Sequence, residues 1–131
     1  VKVSPDSGGA ERARFYAKNL NAGLAIIDKR RPEPNVAEVQ YVIGEVNGKN
    51  CILVDDMVDT GGSISKAAGA LRERGAKDVY CLFTHPVLSA DAIDKMEAAG
   101  FKEIIFTNTI PYRASRPMKG MNILSIAPLL G

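Results

Sequence analysis

The run Cys51-Ile52-Leu53-Val54 is apolar on both of its alternating sides, and the chain turns at Asp59-Thr60-Gly61-Gly62-Ser63 directly into a periodic segment, 64–74, closed by Gly75. A short strand with no polar side must be buried on both faces, which is the pattern of a parallel sheet covered by helices. Ala and Leu content and a glycine just past the end mark 64–74 as a helix with a C-cap. This strand–turn–helix unit restricts the chain to an α/β architecture. The rest of the sequence follows the same alternation. Strands are expected at 1–3, 24–28, 79–83, 104–106 and 123–126, and helices at 10–20 and 90–99. Residues 36–46 alternate well enough for an extended arm or hairpin closed by Asn47-Gly48. The charged, proline-bearing stretch 29–35 is expected to be a mobile loop, and 111–120 an exposed, positively charged one. The expected fold is therefore an open, mainly parallel sheet with helices on both faces and a small extended arm.

The connection after the buried strand carries chemistry. Gly61 and Gly62 let the backbone approach a ligand closely, and amides at a helix start, with the Thr60 and Ser63 hydroxyls, suit an anion. A phosphate alone would gain nothing from Asp55, Asp56 and Asp59 beside it. Those carboxylates imply a second kind of group, either vicinal sugar hydroxyls that donate hydrogen bonds or a hydrated Mg²⁺. A lone Asp-Thr-Gly is commonly just a helix cap; the pattern from Val54 to Ser63 as a whole fits a phosphorylated sugar. It is not a Walker A loop, because the Gly-Lys-[Ser/Thr] ending is missing.

Length and composition narrow the setting. The 131 residues make one domain, and a net charge of +2 implies neither a nucleic-acid nor an acidic partner. Cys51 and Cys81 sit in apolar runs without metal-ligand spacing, so buried free thiols in a reducing compartment are expected. No signal peptide, lipidation motif or membrane-spanning run is seen, which points to the cytoplasm and to no membrane partner. Val1 opens in mid-strand and Leu129-Leu130-Gly131 stops on apolar residues, so a piece of a longer polypeptide is expected, with an edge or face needing a partner.

Two further loops should meet the first, because ligands of open parallel sheets bind beyond the carboxyl ends of the strands. Ser4-Pro5-Asp6-Ser7-Gly8-Gly9 repeats the carboxylate-and-glycine logic: its amides could bind a diphosphate while Asp6 faces Mg²⁺. Asp28-Lys29-Arg30-Arg31-Pro32 puts three adjacent cations on an element able to close over polyphosphate. Taken singly, the first is commonly a capped turn and the second a solvated charge run. His85, the single histidine, is read as structural rather than catalytic, and Tyr112, Arg113 and Arg116 as either surface residues or a second anion site.

With these residues placed, the chain closely resembles the C-terminal half of the ribose-phosphate pyrophosphokinases, the phosphoribosyl pyrophosphate synthetases, whose domains have a phosphoribosyltransferase-like fold. Val3-Ser4-Pro5-Asp6-x-Gly8-Gly9-x-x-Arg12-Ala13 resembles the family's pyrophosphate loop, and Ile26-Ile27-Asp28-Lys29-Arg30-Arg31-Pro32 its flexible catalytic loop. Leu53 to Ser63 resembles its ribose 5-phosphate loop, and Thr84-His85-Pro86-Val87-Leu88-Ser89 the segment after the next strand. The resemblance implies transfer of the β,γ-diphosphoryl group of MgATP to the anomeric hydroxyl of ribose 5-phosphate, giving phosphoribosyl pyrophosphate and AMP. It implies that Lys29 and Arg31 stabilise the transferring diphosphate, with Arg31 also counted among the ribose 5-phosphate contacts. Asp55 and Asp56 would meet the ribose hydroxyls or Mg²⁺, and Asp59, Thr60, Gly61, Gly62 and Ser63 would hold the 5-phosphate. Asp6, Gly8 and Gly9 would bind the diphosphate, and Asp6 the metal.

The family's N-terminal domain, which supplies part of the ATP site, has no counterpart within 1–131, so weak or absent synthetase activity is expected of this chain alone. Phosphate, ribose 5-phosphate or nucleotide-phosphate binding should persist. A homo-oligomer is also implied. Two other readings compete: a type I phosphoribosyltransferase that consumes phosphoribosyl pyrophosphate, for which no convincing base-binding hood is found, and a non-catalytic synthetase-associated regulatory subunit. Lys29 and Arg31 favour the synthetase over both.

Overall fold

A row of buried side chains runs through the middle of the molecule: Ala25, Val3, Leu53, Cys81 and Ile104, each directly opposite the next on an adjacent strand and none more than 1% exposed. Residues in register point to the same side of a sheet, so this row defines the packed face. The computed structural model describes residues 1–4, 23–30, 39–89, 91–112 and 118–130, with positions 11, 14, 15 and 18. Within them lie strands β1 (Lys2–Ser4), β2 (Leu24–Arg30), β3 (Val39–Ile43), β4 (Cys51–Val58), β5 (Val79–Pro86), β6 (Ile104–Thr107) and β7 (Met121–Leu124). Helices α1 (Gly62–Glu73) and α2 (Ala92–Ala98) and a 3₁₀ turn (Ala127–Leu130) complete them.

The seven strands form one sheet in the order β3-β2-β1-β4-β5-β6-β7, parallel throughout except for the antiparallel pair β2–β3. α1 lays Ile64, Ala67, Ala68 and Leu71 on the packed face, and Met96 of α2 joins the same core. Phe83 and Phe106 stack there with ring centroids 5.0 Å apart. Both helices belong to crossovers that step the same way across the sheet. The β1–β2 crossover steps the other way, and right-handedness assigns its helical residues Glu11, Arg14, Phe15 and Lys18 to the opposite face. The mostly parallel, helix-covered sheet read from the sequence is thus present.

Several boundaries differ, and long-range pairing explains them. β4 continues past Val54 to Val58 because β5 also continues, with Met57 opposite His85 and Val58 opposite Pro86. Asp55 and Asp56 therefore lie inside a strand and not after it. Lys29 and Arg30, expected to open a loop, instead extend β2 because β3 pairs with them, Lys29 opposite Gln40 and Arg30 opposite Val39. The expected arm is this antiparallel β3 at the sheet edge. The last strand is 121–124 and not 123–126, held by Ile104–Met121 and Thr107–Leu124 pairing with β6.

Candidate functional site

Strand order locates a cleft before any side chain is considered. β1 and β4 are neighbours, yet the chain leaves β1 towards β2 on one side and leaves β4 towards β5 on the other. Where successive crossovers diverge like this, the carboxyl ends of the two strands frame a crevice, and ligands of open α/β sheets bind in it. The loop from Val58 to Ser63 is the β4 side of that crevice.

The backbone of this loop is set by Gly61. Its φ of 81° is left-handed, and it stands at the N-cap of α1 with no side chain capping the helix. A Cβ there would lie 3.3 Å from the Ala92 carbonyl oxygen and 3.3 Å from Met96 Cγ, so conformation and space both require glycine. Gly62 is different: only Thr60 Oγ1, at 3.8 Å, would touch a side chain added there. The Gly62 N–H reaches Thr60 Oγ1 at a long 3.4 Å, and Ser65 N–H donates to the Gly61 carbonyl at 3.0 Å. Amides in the first turn of a helix have no intrahelical acceptor and carry the positive end of the macrodipole, so an anion is favoured where α1 begins.

Asp55, Met57, Val58, Asp59, Thr60, Gly61, Ser63 and Ile64 line one open depression at the end of β4. Asp55, Asp59, Thr60, Gly61 and Ser63 are thus brought together as the sequence led one to expect. Asp56 and Gly62 do not line the depression. Successive strand residues alternate faces, and Asp56 points away from Asp55 and Met57. Each of these two carboxylates also accepts from the next backbone N–H, Asp56 N to Asp55 Oδ1 and Met57 N to Asp56 Oδ1, both at 2.8 Å. Met57, Val58 and Ile64 are lining residues that the sequence did not single out. Their place depends on β4 running on to Val58, which no local signal announced.

On the other sheet face a second hollow, lined by Val54, Leu82, Thr84, Ile105, Thr107 and Leu124, shares the Asp55 rim. His85 Nδ1 lies 2.8 Å from Thr109 Oγ1, and the Thr107 hydroxyl donates to the Thr84 carbonyl at 2.7 Å, so the imidazole joins a threonine cluster tying β5 to the chain beyond β6. Cys81 is buried, and burial, with a smaller contribution from the Asp55 charge, holds its thiol well above the ordinary range. Cys51 is raised as well, again chiefly by burial. Neither is placed to act as a nucleophile; both are free thiols, as expected. Asp6, Gly8, Gly9, Arg31, Arg113 and Arg116 lie outside the described residues. Lys29 is described as part of β2, opposite Gln40.

An open parallel sheet with a glycine-turned, carboxylate-flanked loop at its switch point defines a phosphoribosyltransferase-like fold. A solved structure of that class, orotate phosphoribosyltransferase from Aeropyrum pernix, superposes with a TM-score of 0.63 at 20% identity, covering 95% of this chain and 58% of the other, which speaks to fold alone. The chain belongs to the phosphoribosyl synthetase-associated domain family, whose model matches residues 32–128. It is 50% identical over 129 residues to the ribose-phosphate pyrophosphokinase of Clostridium tetani, covering 98% of this chain and 40% of that protein. The structure of phosphoribosylpyrophosphate synthetase from Mycobacterium smegmatis matches with a TM-score of 0.90 at 45% identity, over 98% of this chain and 41% of that one. The chain spans about two fifths of the length of these two relatives. Among the described residues, no helix is long and apolar enough to cross a membrane.

Proposed function

We propose that the chain forms the ribose 5-phosphate and diphosphate half of a ribose-phosphate diphosphokinase. The observation that carries this reading is the gathering of Asp55, Asp59, Thr60, Gly61 and Ser63 in one depression at the end of the central strand. That set matches both halves of a sugar phosphate: carboxylates accept hydrogen bonds from ribose hydroxyls, while amides and hydroxyls at the start of α1 meet the 5-phosphate.

In the proposed reaction the anomeric oxygen of ribose 5-phosphate attacks the β-phosphorus of ATP. The bond from that phosphorus to the α–β bridging oxygen breaks, AMP leaves with the bridging oxygen, and the hydroxyl proton is lost to solvent or a nearby base. No protein nucleophile is required, so catalysis is positioning and electrostatic stabilisation. Lys29 and Arg31 neutralise charge on the transferring diphosphate, and Asp6, Gly8 and Gly9 bind it. Mg²⁺ is the fitting cofactor: a small hard ion that keeps its waters needs only one or two carboxylates besides phosphate oxygens. Asp6 is the metal-binding residue in this reading, and Asp55, at the depression, is a carboxylate that would hold the hydrated ion or the ribose hydroxyls. Bound in this way, Mg²⁺ would neutralise diphosphate charge. ATP, phosphoribosyl pyrophosphate and phosphate are the other ligands of the same loops, and a homo-oligomer in the cytoplasm is the setting proposed.

Calorimetric titration with ribose 5-phosphate, ATP and phosphoribosyl pyrophosphate, with and without Mg²⁺, tests the reading on wild type and Asp59→Ala. Ribose 5-phosphate should bind the wild-type chain and weaken by about tenfold or more in the variant, roughly 1.4 kcal/mol. Equal binding by the two proteins would refute the assignment of this loop.

A further inference from the structure

We infer that the segment after β5, residues 87–89, is a positioning clamp for the sugar-phosphate loop, with Leu88 as its strained element; the inference rests on the function proposed above for that loop. Leu88 has φ of 46° and is the one non-glycine residue with positive φ among those described. A branched side chain is disfavoured in the left-handed region, and such strain persists where the surroundings over-determine it, typically at ligand clamps and active sites.

The surroundings here are specific. Parallel pairing between β4 and β5 ends with Val58 opposite Pro86, and proline has no N–H to carry it further. The Val87 N–H turns back to the His85 carbonyl at 3.1 Å. Leu88 N–H donates to the Val58 carbonyl at 2.9 Å, and the left-handed turn at Leu88 aims the following amide, Ser89 N–H, at the Asp59 carbonyl at 2.8 Å. Val58 and Asp59 are the last strand residue and the first loop residue of the site. The clamp closes a second time through α2. The Ser89 carbonyl accepts from Ala92 N–H at 2.9 Å, and the Ala92 carbonyl and Met96 Cγ leave little room beside Gly61, since a Cβ added there would lie 3.3 Å from each. The Val58 and Asp59 carbonyls are thus fixed from behind, and Gly61 is backed by α2, so the entry to the loop and its glycine turn are set before any ligand arrives. Preorganisation of this kind raises affinity by reducing what must be ordered on binding.

The test compares Leu88→Gly with Leu88→Ala. Both remove the Leu88 side chain, which packs against the core, so their difference isolates the backbone conformation. Glycine adopts φ of 46° freely and alanine does not. The clamp predicts that ribose 5-phosphate, titrated calorimetrically, binds Leu88→Ala about fivefold more weakly than Leu88→Gly, with Leu88→Gly near wild type. A residue needed for packing alone would give equal affinities or favour alanine, the stiffer residue, and either result would overturn the proposal. Amide hydrogen exchange separates this outcome from failure of the functional reading. If wild type does not bind ribose 5-phosphate, that reading falls, and the clamp is judged by its own amides at 88 and 89. They should be protected in wild type and Leu88→Gly and exchange faster in Leu88→Ala. Equal protection in the two variants would remove the clamp.

Discussion

Gly61→Ala should destabilise the fold, whereas the neighbouring Gly62→Ala should not, although both sit in the same Gly-Gly pair. At position 61 the native φ is 81°, and alanine in the left-handed region costs about 1–2 kcal/mol. Its Cβ would also meet the Ala92 carbonyl oxygen at 3.3 Å, a backbone atom that moves only if α2 moves. Set against this is the smaller entropy of the unfolded chain when glycine is replaced, worth about 0.4–1 kcal/mol in favour of alanine. The net expectation is a loss of about 1 kcal/mol, which for a domain of this size lowers the midpoint of thermal unfolding by about 4 °C. At position 62 the conformation is helical and the nearest atom is 3.8 Å away, so only the entropic gain and better helix propensity remain. Gly62→Ala should equal wild type or exceed it by up to about 1 kcal/mol. Urea and thermal unfolding followed by circular dichroism measure both. The reasoning is refuted if Gly61→Ala matches wild type, or if Gly62→Ala loses as much.

Other consequences are independent of any ligand. The raised thiol pKa of Cys81 means that the folded state keeps its proton where the unfolded state releases it; above about pH 8.5, stability should therefore fall by about 1.4 kcal/mol per pH unit through this thiol, with Cys51 acting in the same direction. Below that pH the thiols contribute no slope, and Cys81→Ala should flatten the alkaline side in urea titrations repeated from pH 8 to 10. Leu53→Ala, in the fully buried central row, should cost about 2–5 kcal/mol by chemical denaturation. Thr107→Val removes the donor to the Thr84 carbonyl and should cost about 0.5–1.5 kcal/mol, with faster amide exchange at Thr109, whose N–H reaches Thr107 Oγ1 at 3.3 Å.

Much of the site was legible because its information is local. A Gly-Gly pair between an apolar run and a helical repeat needs no tertiary context to be read as a close-approach turn, and Asp59, Thr60, Gly61 and Ser63 fall where that reading put them. Strand ends were less legible. A polar pair such as Asp55-Asp56 looks like a terminus, yet β4 passes through it because partners on β5 supply the ladder to Val58. Leu88 carries no signal at all, since nothing about leucine announces a left-handed turn.

The sequence by itself determined the alternation of strands and helices, the buried central strand and the chemistry of the loop that follows it, because propensity, apolar periodicity and glycine conformation act over a few residues. The tertiary structure decided which side chains share a space. It placed Asp55 and Asp59 in one depression and sent Asp56 away, lengthened β2 and β4 by pairing, and brought residues 88 and 89 behind residues 58 and 59. Those outcomes depend on register and crossover direction between segments tens of residues apart, which no window of sequence contains.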